Sequence, residues 1–215
     1  MNIHGFRVAR AVTLSLALVA LLPAAANAAT GKVEVEHQRG PLVNALFTSM
    51  DGSGCVETDT FVTANRSTDH HGSSSLTSVI AGVSVFAYDL CSETVVLQAA
   101  GEVDTLSLDA FRVSNQLDQA SLQGEIAVTN LDTGAAFTIT VDVTWSGTSA
   151  IHRDHSNTND QYPGGCHVLN RWNGSGRTAT ASGSVTDGLT EFTPAPTDDA
   201  EIGFVHDGFA VMGCA

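Results

Sequence analysis

The chain has 215 residues and carries nine Lys+Arg against 23 Asp+Glu, a formal net charge of −14. Such a surface repels nucleic acid and anionic membranes, which leaves cations, glycans and other extracellular surface components as the partners to expect. The lone lysine, Lys32, gives no support to lysine chemistry.

Residues 1–28 have the layout of a cleavable secretory signal. Arg7 and Arg10 form a short basic head, Ala11–Leu22 is an uncharged apolar run, and small residues stand at Ala26 and Ala28 after the Pro23 break. That run is too short to cross a hydrocarbon core, which takes roughly 20 residues, so no membrane insertion is expected. The expected exported part, 29–215, is a single all-β domain of 187 residues with seven Lys+Arg and a net charge of −16.

From there on, apolar and polar residues alternate with period two, the mark of strands with one buried and one wet face. The first such stretches are 32–37 (KVEVEH) and 42–50 (LVNALFTSM), then 55–64 past the turn MDGSG and 78–90 past DHHGSS. Next come 94–106, the ambiguous Leu108–Ala120, read as strand because Phe111, Val113 and Leu117 keep the alternation, and 120–130. After an LDTG turn, Phe137, Ile139, Val141, Val143 and Trp145 face one way, while Thr138, Thr140, Asp142 and Thr144 face the other. Residues 152–165 read as a long polar loop that ends in a YPGG turn. A hairpin is expected around Asn173–Gly176, with Arg177 opposite Trp172, and a last strand over 203–214. Many short Thr- and Val-rich strands parted by Gly, Asn and Asp turns point to an antiparallel β-sandwich, Greek-key or jelly-roll-like.

The four cysteines, Cys55, Cys91, Cys166 and Cys214, all follow the signal, and an even count in an exported chain reads as two disulfides. Pairing neighbours in sequence, Cys55 with Cys91 and Cys166 with Cys214, closes the shortest loops. A zinc site would need closer pairs.

The densest polar stretch, HRDHSNTNDQYPGGCHVLNRW from His152, holds the candidate chemistry. A divalent metal is one reading, through His152, Asp154, His155, Asp160 and His167, although their spacing matches no named signature and no cofactor is otherwise expected. A glycan is another, with Tyr162 and Trp172 as stacking faces and Asn170 and Arg171 as hydrogen-bond donors. Trp172 shares parity with Cys166 and Val168, so it serves equally as a core residue. Catalysis has weaker support. The pairs Glu34/Glu36, Glu57/Asp59 and Glu102/Asp104 stand at strand spacing on one face, as glycosidic acid–base work requires, but solvated strand faces place acids the same way. No G-x-S-x-G marks a nucleophile elbow. The reading is therefore an exported acidic β-domain with a binding or surface role, its contact surface at residues 152–165. An extracellular hydrolase or a self-assembling surface protein are the alternatives, and the oligomeric state is not legible.

Overall fold

Alternation in the sequence becomes alternation of burial. The computed structural model describes residues 34–71, 74–162, 166–186, 191–192 and 195–212. The strands among them are β1 (Glu34–Met50), β2 (Val56–His71), β3 (Ser74–Asp89), β4 (Thr94–Val103), β5 (Phe111–Val113), β6 (Gln119–Asn130), β7 (Ala136–Gly147), β8 (His152–Tyr162), β9 (Cys166–Thr186), β10 (Glu191–Phe192) and β11 (Thr197–Met212). There is no helix among the described residues. Along β7, Ile139, Val141, Val143 and Trp145 are buried and the threonines between them exposed, as the sequence pattern requires.

The fold is all-β and antiparallel. Strands β9, β11, β1, β2, β3, β4, β6 and β7 pair in that order, and β7 returns to β9. Pairing therefore closes into a ring, and the layers expected of a sandwich are joined along both sides in one sheet. Closure removes the edges of the ring itself, while β8, paired only with β9 among the described residues, remains an edge strand. The seam between β4 and β6 is short, Ala99 opposite Asn130 and Ala100 opposite Thr129. Beyond it the wall continues through the next segment, where Thr105 bridges Val79 and β5 lies on β6.

Inside the ring, Ala45, Ala64, Ala81, Ala99, Ala179, Ala181 and Ala200 let the walls approach, and Phe47, Phe111, Leu122 and Trp145 fill what remains. Trp145 donates its indole N–H to the Asn44 carbonyl at 2.8 Å, so its burial leaves no donor unsatisfied. Each large side chain buried this completely contributes about 1.5–3 kcal/mol. The middle of the ring is thus packed core, not a channel.

One end is stapled by the expected disulfide Cys55–Cys91, with Cα atoms 5.3 Å apart. The second expected bridge, Cys166–Cys214, lies outside the described residues, as does the signal at 1–28. At the other end, β8, β9, β11, β1, β2 and the start of β3 run on past the core as an open sheet.

Four local expectations change. The stretch 42–50 and the described part of 32–37, from Glu34 on, form one strand, β1, which passes straight through Gly40–Pro41. Within Leu108–Ala120 the chain is strand at β5 and again where β6 begins at Gln119, with a turn between them in which Leu117 takes φ 55°. The polar loop at 152–162 is a strand, β8, antiparallel to β9 from His152 opposite Gly176 to Tyr162 opposite Cys166. Polar side chains misread it: β8 is an edge strand exposed on both faces, so it has no apolar side to alternate with.

The fourth is the hairpin at Asn173–Gly176, which does not form, because β9 runs straight through it. Its glycines serve as room. A Cβ at Gly174 would fall 2.4 Å from the Trp172 ring, and one at Gly176 would fall 2.5 Å from Glu201 Oε1 and 3.1 Å from the His152 ring. The side chains of Trp172, Glu201 and His152 lie where a turn was expected. Arg177, expected opposite Trp172, points to the other face.

Candidate binding site at the mouth of the ring

The face of the open sheet that continues the ring's interior follows from register. Val43 stands opposite Ile202, Pro41 opposite Phe204, and Phe204 opposite Ser175, which faces Arg153 on β8. The interior row Val62 and Ala64 on β2 leads in the same way to Arg66. Above the packed core this face opens on a cavity of about 470 Å³. Arg39, Arg66 and Arg153 line it, with Pro41 and Phe204 on the sheet side. Val113 at the end of β5, Ser114, Asn115 and Leu117 from the turn after it, and Ile151 before β8 form the facing wall.

Each arginine is held differently. Arg66 is half-buried; its Nη2 donates to the Leu108 carbonyl at 2.8 Å and also to the Phe111 carbonyl. It thereby ties the segment before β5 to β2, while its buried Nε has no hydrogen-bond partner among the described residues. Arg39 is exposed, and its guanidinium carbon stands 5.4 Å from the centroid of the Phe204 ring, a cation–π contact. Arg153 is exposed on the edge strand. Arg177, on the same face, lies against Gly147 beside the Leu117 carbonyl. Among the described residues no carboxylate lines the cavity, and none of Arg39, Arg66, Arg153, Arg171 or Arg177 forms an ion pair.

Leu117 is the strained member of the wall. At φ 55° it occupies the left-handed region, which costs a branched residue roughly 1–2 kcal/mol. It stays there because its side chain is buried and because the turn is pinned. Leu117 N–H donates to the Ser114 carbonyl at 3.0 Å, Asp118 N–H donates to Ser114 Oγ at 3.0 Å, and Ser114 Oγ donates to Asp118 Oδ1.

The residues expected from sequence are distributed otherwise. β8 puts His152 and Asp154 on the face away from the cavity, where His152 Nε2 lies 3.9 Å from Asp154 Oδ2 and 3.5 Å from Glu201 Oε1. Glu201 comes from β11 and was not anticipated, since only the β9–β11 register brings it over Gly176. His155 is on the opposite face, and Asp160 is six residues further along β8 than Asp154, roughly 20 Å at strand rise. Only the backbone is described for His167 and Tyr162, which stand opposite Gln161 and Cys166. The group of possible metal ligands that does come together among the described residues is Cys55, Cys91 and Asp89, and its sulfurs are joined in the disulfide.

Trp172 is half-buried, its ring against Gly174, and shares its face with Asn170. Arg171 points to the opposite face, so the proposed sugar contacts divide between the two sides of β9. Of the carboxylate pairs, Glu102 and Asp104 are exposed, Glu57 and Asp59 lie on the outer face of β2 with Asp59 accepting from Thr48 Oγ1 at 2.6 Å, and Glu34 and Glu36 are described in backbone only. Neither Glu57/Asp59 nor Glu102/Asp104 lines the cavity.

No protein-family model and no curated protein matches this sequence. Among solved structures, a "putative AttH" from Nitrosomonas europaea is similar at 14% identity with a TM-score of 0.30. The match takes in 85% of this chain and 52% of that one, so the chain spans about half the length of the structure it resembles.

Proposed function

We propose that this chain is an exported binding protein that holds a small ligand in the cavity at the mouth of the ring and carries out no chemistry on it. The observation that supports this reading is the cavity itself. Its volume of about 470 Å³ falls within the roughly 300–1,000 Å³ of small-molecule sites, and its walls combine apolar side chains with a few convergent polar ones. A strained residue in the wall, Leu117, agrees with that assignment, because strain survives where surrounding structure enforces it and gathers at ligand sites.

Export is supported by the disulfide and by the signal-like leader. Membrane insertion is disfavoured by the distribution of polarity. The interior of the ring is apolar and the outward row of β7 is Thr138, Thr140, Asp142 and Thr144, the reverse of a lipid-facing barrel. The hydrolase alternative loses ground because the carboxylate pairs with described side chains, Glu57/Asp59 and Glu102/Asp104, lie away from the cavity.

A neutral solvatochromic dye, Nile red, tests the reading without reference to charge. Its fluorescence should rise on binding the intact mature protein, and Ser175→Trp, which fills the cavity from β9, should abolish the rise while the far-UV circular dichroism stays unchanged. A rise of equal size in the filled variant would end the proposal.

A further inference from the structure

Once the leader is set aside, the chain has seven basic residues, and five of them, Arg39, Arg66, Arg153, Arg171 and Arg177, fall on the face that continues the interior of the ring. The chain has 23 Asp and Glu residues that could have paired with these arginines. Instead three of them line one cavity, among the described residues none is paired, and the buried Nε of Arg66 has no hydrogen-bond partner. Guanidinium groups present planar forks of donors that fit oxyanions two bonds at a time. In the opposite wall Ser114 and Asn115 are polar, while Val113, Leu117 and Ile151, together with Phe204, give an apolar surface that suits hydrocarbon.

We infer that the ligand of this cavity is an amphipathic oxyanion, a carboxylate or phosphate headgroup on an apolar body, with the headgroup on Arg39 and Arg153 and the body against Phe204, Leu117 and Ile151. This rests on the binding role proposed above and gives it a ligand class. The negative charge of the rest of the molecule does not oppose it at contact, because charges further away than a Debye length of about 8 Å at physiological salt are largely screened. Arg66 sits deeper, and its bonds to the Leu108 and Phe111 carbonyls make it the fixed floor of the headgroup site.

Matched ligands of one chain length separate charge from apolar contact. Calorimetric titration of the mature protein with decanoate, decyl phosphate and decanol should show at least one anion binding tenfold or more tightly than the alcohol. The tighter of the two anions identifies the headgroup. Arg39→Gln/Arg153→Gln should remove most of that advantage and leave decanol unchanged. Arg112→Gln, which alters an exposed arginine paired with Asp109 outside the cavity, should change neither. Raising NaCl tenfold should weaken the anions alone. Equal binding of decanol and both anions, or an Arg39→Gln/Arg153→Gln variant that behaves as Arg112→Gln does, overturns the anion assignment while leaving the binding role standing. If Nile red and all three ligands fail to bind, both fall.

Discussion

A Cβ at Gly40 would fall 1.5 Å from the carbonyl oxygen of Arg66, a distance at which no two such atoms can coexist. The ladder between β1 and β2 runs from Arg39 opposite Thr68 to Leu42 opposite Asn65, and between those pairs Pro41 supplies no N–H. There the β2 backbone at Arg66 packs into the space that Gly40 leaves, and the side chain of the same residue lines the cavity. Glycine at 40 is therefore as much part of the site as the arginine. Gly40→Ala should cost roughly 1–3 kcal/mol of stability by overpacking, read from urea denaturation. It should also weaken decanoate more than Nile red, since the arginine moves and the apolar wall does not.

The left-handed turn at Leu117 sets two effects against each other. Its side chain is buried, so truncation should be expensive, on the order of 2–5 kcal/mol for Leu→Ala. Its backbone, however, prefers glycine, which would regain roughly 1–2 kcal/mol at this φ. Leu117→Gly should therefore be more stable than Leu117→Ala, the reverse of their order in a strand. Thermal melting of the two variants side by side checks it, and the strand order would show that the turn is not left-handed.

Cys55–Cys91 closes a loop of 36 residues' separation across the β2–β3 hairpin. Chain entropy alone assigns such a link about 4 kcal/mol through the unfolded state. Cys55→Ser/Cys91→Ser should lose up to that amount in denaturant titration and keep the ring. The mouth cavity lies at the far end, so Nile red binding below the unfolding transition should persist.

Around that staple two carboxyl groups are held below their usual range. For Asp51 the largest cause is the Ser53 hydroxyl, which donates to Oδ2 at 2.7 Å, followed by the Val56 N–H at 2.9 Å. For Asp89 it is the Ser92 backbone N–H at 3.0 Å. Because the folded values lie below the ordinary 3.8, the stabilisation is complete above that pH. It is lost as the pH falls through the lowered folded values. Melting temperature should hold steady on acidification to about pH 4 and drop below it. In Asp51→Asn/Asp89→Asn the melting temperature should start lower near neutrality and fall less steeply in acid. An identical acid slope in wild type and variant would count against these bonds.

The wall of the fold was legible because burial on one side leaves a period-two record, clearest from Ile139 to Trp145. The site was less so. Arg39 shares parity with Val43, Ala45 and Phe47, and Arg66 with Val62 and Ala64, so arginines at inward positions of an acidic chain were the available signal. Their convergence, with Arg153 from the edge strand, depends on register across β8, β9, β11, β1 and β2, which one sequence does not encode locally. Strand β8 was missed for a related reason: with water on both faces, hydrogen bonding to β9 alone makes it a strand, and side chains record none of that. Asn173-Gly174 misled in the other direction. The pair is a strong turn signal wherever nothing else needs the space.

Here the Trp172 ring needs it, and that gives a direct optical test of the straight course of β9. A valine at Gly174 would meet the indole at 2.4 Å, but the obstacle is the far end of a side chain, which can swing aside. Gly174→Val should therefore cost little stability, since a β-branched residue also suits a strand. It should shift tryptophan emission to the red as the Trp172 indole moves into water, while the buried Trp145 contributes an unchanged component. If Asn173–Gly176 were a tight turn, valine there would instead break the hairpin and lower the melting temperature sharply. Emission maximum and melting temperature, measured on the same variant, decide between the two courses of the chain.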